Sequence, residues 1–199
     1  MYHQIIDNLR QSYNAAAEER DSHLIQAWKV EERAYFLSVL LQENKRTLLE
    51  IGSGPGRDSL FFQEQGLTVT CTDLSPEMVK LCQGKGLKAF VKDFLTLDFL
   101  PHSFDAVFAL NCLLHVPKAD IHRVLQEISG LLTPGGLFYL GVYGGDEYEG
   151  FLERDTYYPK RFFSFHTDQQ IQELTALYFT PIYFRAVSLE PDKDYHFQS

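Results

Sequence analysis

Apolar positions recur at roughly helical spacing across the first 44 residues; within QAWKVEERAYFLSVLLQ they are Trp28, Val30, Ala34, Phe36, Leu37, Leu40 and Leu41. The period then changes. Short runs of strand composition occupy 47–51 (TLLEI), 67–72 (LTVTCT), 87–92 (LKAFVK), 104–110 (FDAVFAL) and 136–143 (GLFYLGVY). Helical stretches at 57–65, 76–83 and 117–131 lie between them, and the last carries Ile121, Val124, Leu125, Ile128 and Leu131 as one apolar stripe.

Alternating strands and helices predict an α/β fold, a parallel sheet joined by crossover helices. The LTPGG step at 132–136 ends one helix, because Pro134 cannot continue it, and turns the chain into the next strand. An aromatic-rich stretch at 143–166 interrupts the alternation. A last helix is predicted over 167–178 with Thr167 as its N-cap. IYFRAVSL and YHFQS surround EPDKD and predict an antiparallel C-terminal hairpin, whose second arm stops at Ser199 with the strand unfinished, so a truncation is expected there. The resulting division is one domain over 1–199, with a helical lead-in at 1–44 and an aromatic insertion at 143–166 placed to act as lid and substrate pocket.

Composition narrows the function classes. With 45% apolar and 23% charged residues the chain can bury a substantial core. A formal net charge of −9 argues against holding a long phosphate backbone, which rests on Lys and Arg replacing counterions. Nucleic acid is therefore not the expected partner. Cys71, Cys82 and Cys112 show no CxxC or Cys/His spacing, so they read as reduced thiols rather than a disulfide or metal framework. No apolar run approaches the roughly 20 residues of a membrane helix, and the N-terminus lacks a signal-peptide pattern. A cytoplasmic location is expected by elimination; the oligomeric state is not legible.

The densest signal is GSGPG, which sets Gly52, Gly54 and Gly56 between the first strand and the first crossover helix. That loop falls at the carboxyl end of the sheet, where open α/β folds bind ligands. Missing Cβ atoms allow close backbone approach, and the helix start offers free N–H donors. The spacing is GxGxG rather than the dinucleotide GxGxxG. Glu50, just ahead of it, would repel a pyrophosphate and attract an ammonium group. Asp73 ends the second strand 23 positions after Glu50, where an acid can accept both ribose hydroxyls of a nucleoside. A helix N-cap is the alternative for Asp73. Ser75 and Pro76 read as a helix start, with Glu77 in its first turn.

Glu50-x-Gly52-x-Gly54-x-Gly56, Asp73, Asp93 in FVKDFLTLDF, FDAVFALNCLLHVP and LLTPGGLFYLGVY occur in that order over roughly 47–145. Together they resemble the small-molecule class I, Rossmann-like S-adenosylmethionine (SAM)-dependent methyltransferases. The resemblance implies a mostly parallel seven-stranded sheet with an antiparallel C-terminal hairpin and helices on both faces. It implies SAM as methyl donor, S-adenosylhomocysteine as product and a small-molecule acceptor. Glu50, Gly52, Ser53, Gly54, Gly56 and Asn111 would then surround the methionyl part of the donor. Asp73 would hold the ribose, Leu74 and Met78 the adenine faces, and Asp93 the adenine amino group with Phe94 beside it. Tyr13, in a tyrosine-bearing lead-in, would close over the donor; Arg20 reads as a surface or salt-bridge residue.

Methyl transfer from a sulfonium depends mainly on alignment and water exclusion, so a base is useful only for an acceptor that arrives protonated. His115, in LLHVP after the fourth strand, is the candidate base, and hydrogen bonding to the loop or cofactor is its alternative role. Cys112 is a much weaker candidate nucleophile. Three other functions stay open: a catalytically silent SAM- or nucleoside-binding sensor or subunit, a protein methyltransferase, and an NAD-dependent oxidoreductase. The last lacks both GxGxxG and a Tyr-x-x-x-Lys dyad.

Overall fold

The computed structural model describes residues 2–189 and 195–199. The lead-in predicted as helix is three helices, α1 (Tyr2–Ala15), α2 (Ala17–Ser22) and α3 (Ala27–Gln42). The crossover region follows as β1 (Thr47–Ile51), α4 (Arg57–Glu64), β2 (Thr68–Asp73), α5 (Pro76–Gly84), β3 (Lys88–Val91) and β4 (Phe104–Leu110). A 3-10 turn at Leu113–His115 leads to α6 (Ile121–Leu131) and β5 (Leu132–Gly144). β6 (Tyr148–Phe151), β7 (Phe162–Phe165), α7 (Asp168–Ala176), β8 (Ala186–Val187) and β9 (His196–Gln198) complete the described elements.

Seven strands form one sheet in the order β3-β2-β1-β4-β5-β9-β8. The first five run parallel, and β9 pairs antiparallel with both β5 and β8. The order reverses at β1, whose other neighbour is β4, and this switch opens a crevice at the carboxyl ends of the strands. Side chains alternate between the two faces of β1 and β4. Leu49, Ile51, Val107 and Ala109 pack with Val124, Leu125 and Ile128 of α6. Leu48, Ala106 and Phe108 face the other way, onto Phe36 and Leu40 of α3, Phe62 of α4 and Val79 of α5. Helices cover both faces, as the crossover pattern requires.

The larger differences from the sequence reading lie in the second half of the chain. β5 begins at Leu132, taking in the Pro-Gly-Gly step, because a register shift opposite Phe104 and Ala106 absorbs the extra residues. α6 starts at Ile121, after a turn whose Pro117 carbonyl accepts the Asp120 and Ile121 amides. The aromatic insertion is partly ordered as an antiparallel β6–β7 ribbon, separate from the main sheet. Thr167 does cap α7, through a reciprocal box with Gln170.

Candidate functional site

Gly52, Gly54, Asp73, Leu74, Phe94, Asn111 and His115 meet in the crevice above β1, β2 and β4, around a cavity of about 60 Å³. Tyr13 and Arg20 reach it from the lead-in helices, and Leu9, Leu110 and Cys112 complete its walls. A larger groove of about 550 Å³ runs along β5 between Tyr35, Phe36, Phe138 and Phe179, and no residue of the glycine loop lines it.

The loop's glycines have separate reasons. Gly52 sits at φ +66°, and a Cβ there would lie 2.3 Å from Cys112 Cβ, so protein packing alone excludes a side chain. Gly54, at φ +54°, would direct a Cβ into open space, and it is the glycine whose bareness leaves room at the cavity. Gly56 begins α4 outside the cavity lining, where a Cβ would meet Leu87 and Cys82.

Asp73 is buried at the end of β2. Its Oδ2 accepts the Gly54 N–H and its Oδ1 the Ser75 N–H, both at 2.8 Å. Burial raises its carboxyl above the ordinary aspartate value, opposed by these two amides. The capping role that competed for Asp73 belongs to Ser75, whose Oγ accepts the Met78 N–H at 3.2 Å. Asp73 is thus left with unused lone pairs at the cavity wall.

Asn111 is held at φ +55°, a conformation uncommon for a residue with a side chain. Both its amide Oδ1 and its Nδ2 are buried without a hydrogen-bond partner among the described residues. The Nε of Arg20 is likewise buried and unpartnered, while its Nη1 donates to Tyr157 Oη at 3.1 Å. Buried polar groups are seldom left this way, and both side chains belong to residues that line the cavity.

His115 is committed at both ring nitrogens. The Phe162 carbonyl, 2.6 Å from Nδ1, can only accept, so Nδ1 carries the hydrogen. Nε2 then accepts from the Tyr13 hydroxyl at 2.6 Å. Burial, with Arg161 and Arg20 nearby, lowers the imidazole to about 3, so it is neutral at neutral pH. Both ring nitrogens are thus engaged, and Nε2 meets the Tyr13 hydroxyl at the cavity. Cys112 donates its thiol to the Ile51 carbonyl at 3.0 Å, and burial holds that thiol well above its ordinary value. It is no activated nucleophile.

Other residues singled out in the sequence lie outside this cavity. Glu50 shares the face of Leu48, and its Oε2 accepts from Ser59 Oγ of α4. Burial, with Asp58 nearby, raises its carboxyl well above the ordinary value. Ser53 is buried in the loop and donates its N–H to the Thr72 carbonyl at 3.0 Å. Met78 is buried on α5. Asp93 lines an adjoining open groove with Arg10, Lys92 and Arg123, where Oδ1 accepts from Tyr2 Oη and the Leu95 N–H, each at 2.7 Å. Arg20, read as a surface or salt-bridge residue, lines the cavity. No local pattern marks it, because only the folding of α1 and α2 over the crevice brings it there.

Residues 49–140 match the family model described as a methyltransferase domain. The fold overlays a Burkholderia thailandensis 1,6-didemethyltoxoflavin-N1-methyltransferase, solved with 1,6-didemethyltoxoflavin and S-adenosylhomocysteine bound. That overlay has a TM-score of 0.72 and 25% identity, covering 99% of this chain and 86% of the other. Residues 49–140 thus carry a methyltransferase domain, and the fold is that of the class I SAM-dependent methyltransferases. The chain is also 30% identical over 149 residues to a ubiquinone biosynthesis O-methyltransferase of Xanthomonas oryzae pv. oryzae, covering 65% of itself and 62% of that relative. It is 35% identical over 114 residues to a sterol 24-C-methyltransferase of Clavispora lusitaniae, covering 52% of itself and 28% of that relative. The chain therefore spans less than two thirds of these curated relatives. No helix among the described residues is long and apolar enough to cross a membrane.

Proposed function

We propose that this chain binds SAM in the crevice above β1, β2 and β4 and transfers its methyl group to a small-molecule acceptor, releasing S-adenosylhomocysteine. The observation that carries this reading is the set of unsatisfied groups around one cavity: the spare lone pairs of Asp73, the orphaned amide of Asn111 and the unpartnered Nε of Arg20. A SAM molecule offers ribose hydroxyls, an ammonium and a carboxylate, and each finds a complement there. Asp73 would hold the ribose and Arg20 the carboxylate, while Asn111 and the bare backbone at Gly54 face the methionyl chain. Leu74 and Phe94 supply apolar walls for the base.

When bound, SAM supplies a methyl group on positively charged sulfur, so displacement needs no assistance at the leaving group. The chain's own contribution is alignment and exclusion of water, which can be worth roughly 7–11 kcal/mol. Leu9, Leu74, Phe94 and Leu110 provide the dry walls. His115 holds Tyr13 in place and takes no proton. A cavity of about 60 Å³ is well below the roughly 300–1,000 Å³ of a small-molecule site, so the lead-in helices must yield for entry.

The net charge of −9 supports a small acceptor over a nucleic acid. Three free, buried cysteines support a reducing, cytoplasmic setting. Calorimetry with SAM, S-adenosylhomocysteine and NAD, followed by a methyl-release assay across a metabolite panel, tests the reading. Binding of the first two and turnover of one metabolite is expected. Preference for NAD overturns the donor assignment, and binding without any turnover across the panel favours a sensor.

A further inference from the structure

Resting on the donor reading above, we propose that the methyl acceptor carries an anionic oxygen group, a carboxylate or a phosphonate, and that Lys29 binds it over the carboxyl ends of β4 and β5. The sheet order sets which side of the crevice is left for an acceptor. The donor cavity lies over β1, β2 and β4, and β5 flanks β4 on the side away from β1. The Asn111 N–H donates to the Gly141 carbonyl at 2.7 Å, so the cavity wall runs into the end of β5. An acceptor that meets the donor's methyl group without sharing the nucleoside's space comes from this side.

The first turn of α3 covers that end. The Trp28 ring lies 4.2 Å from the Phe197 ring and 6.4 Å from the Tyr143 ring, centroid to centroid. Phe197 and Tyr143 are register partners on β9 and β5. Lys29 follows, half-buried, with Nζ 5.2 Å from the centroid of the Trp28 ring. Among the described residues no hydrogen bond or ion pair holds this ammonium.

Its surroundings are mostly positive. Arg20 stands in the cavity wall and Arg57 at the start of α4, while Asp58, the carboxylate on that side, is held by Arg33 at 2.9 Å. Burial first, then the charges of Arg20 and Arg57, lower Lys29 to about 8 against the pull of Asp58. A chain of net charge −9 thus keeps a half-buried cation with no carboxylate of its own at the edge of the site. The face of Trp28 attracts that charge, and an incoming anion stabilises it further. Arg20 lines the cavity and meets the donor's carboxylate; Lys29 does not line it and is left for the acceptor. The rings of Trp28 and Tyr143 suit an aromatic body behind the anionic group.

The test uses the S-adenosylhomocysteine complex and three small aromatic probes, benzoate, phenylphosphonate and benzamide. Trp28 is the only tryptophan in the chain, so its fluorescence reports binding beside Lys29. At pH 7 each anion should bind at least about tenfold more tightly than benzamide. At pH 9.5, where an ammonium of about 8 is only about 3% charged, the anions should bind about thirtyfold more weakly. Lys29→Met should remove the preference for the anions, and Lys29→Arg, charged at both pH values, should keep it at both. Calorimetry should give both variants the wild-type affinity for SAM, which also shows that they fold. No binding by either anion, equal binding of benzamide, or an anion preference that survives in Lys29→Met overturns the inference and leaves the donor site standing. Weakened SAM binding in Lys29→Met with normal binding in Lys29→Arg assigns the ammonium to the donor's carboxylate and overturns it too. A wild type that binds neither SAM nor S-adenosylhomocysteine overturns the donor reading itself.

Discussion

Replacing His115 by Gln tests whether its imidazole is a buried, neutral orienting group. In the folded chain the ring is lowered to about 3, against an ordinary histidine near 6.5. Between those values the unfolded chain binds a proton that the folded chain refuses, so stability is retained above the ordinary value and lost as pH falls. From pH 7 to pH 5 this one group should remove about 2 kcal/mol of folding free energy. Glutamine supplies a donor and an acceptor without a titratable ring, so its variant should lack that component. Urea denaturation of both proteins at the two pH values gives the difference directly. Glu50 and Asp73, both raised by burial, favour folding as pH falls and cancel in the comparison. Equal acid losses in the two proteins would show that His115 titrates normally, reopening a role as base.

Three further outcomes follow from the site. Asp73→Ala should weaken SAM by about 1.5–3 kcal/mol for each ribose bond lost, measured by calorimetry; unchanged affinity removes the ribose assignment. Arg20→Met should lower affinity for SAM at least tenfold yet spare adenosine, and equal losses for the two ligands would move the guanidinium away from the carboxylate. Gly52→Ala, with its Cβ 2.3 Å from Cys112 Cβ, should cost about 2–4 kcal/mol in denaturation. Gly54→Ala meets no protein atom within 4 Å and should impair ligand binding more than stability; the reverse order would show the loop's roles misassigned.

Much of this was legible in the chain because it depends on local period. Strand and helix alternate, and the carboxyl ends of consecutive strands carry the site, so Gly54, Asp73, Leu74, Phe94 and Asn111 converge from well-separated segments. Tertiary packing adds what local pattern does not carry. Glu50 is one residue away from the β1 positions that face α6, and that parity turns it onto Ser59 behind the loop. Gly52 looks like room for a ligand, but the space belongs to Cys112. Arg20 has no amphipathic or motif signature, and the cavity it lines is assembled from segments well separated in the chain. Asn111 could be placed by its position after β4, whereas its left-handed backbone and unpartnered amide are visible only in three dimensions.

The most direct measurement is a crystal structure of the chain with S-adenosylhomocysteine. The ribose hydroxyls should lie on the Asp73 carboxylate, the product's carboxylate on Arg20, and the methionyl chain between Gly54 and Asn111. A ligand seated along the β5 groove instead, or ordered crystals whose β1–β2–β4 crevice stays empty at saturating ligand, would contradict the account.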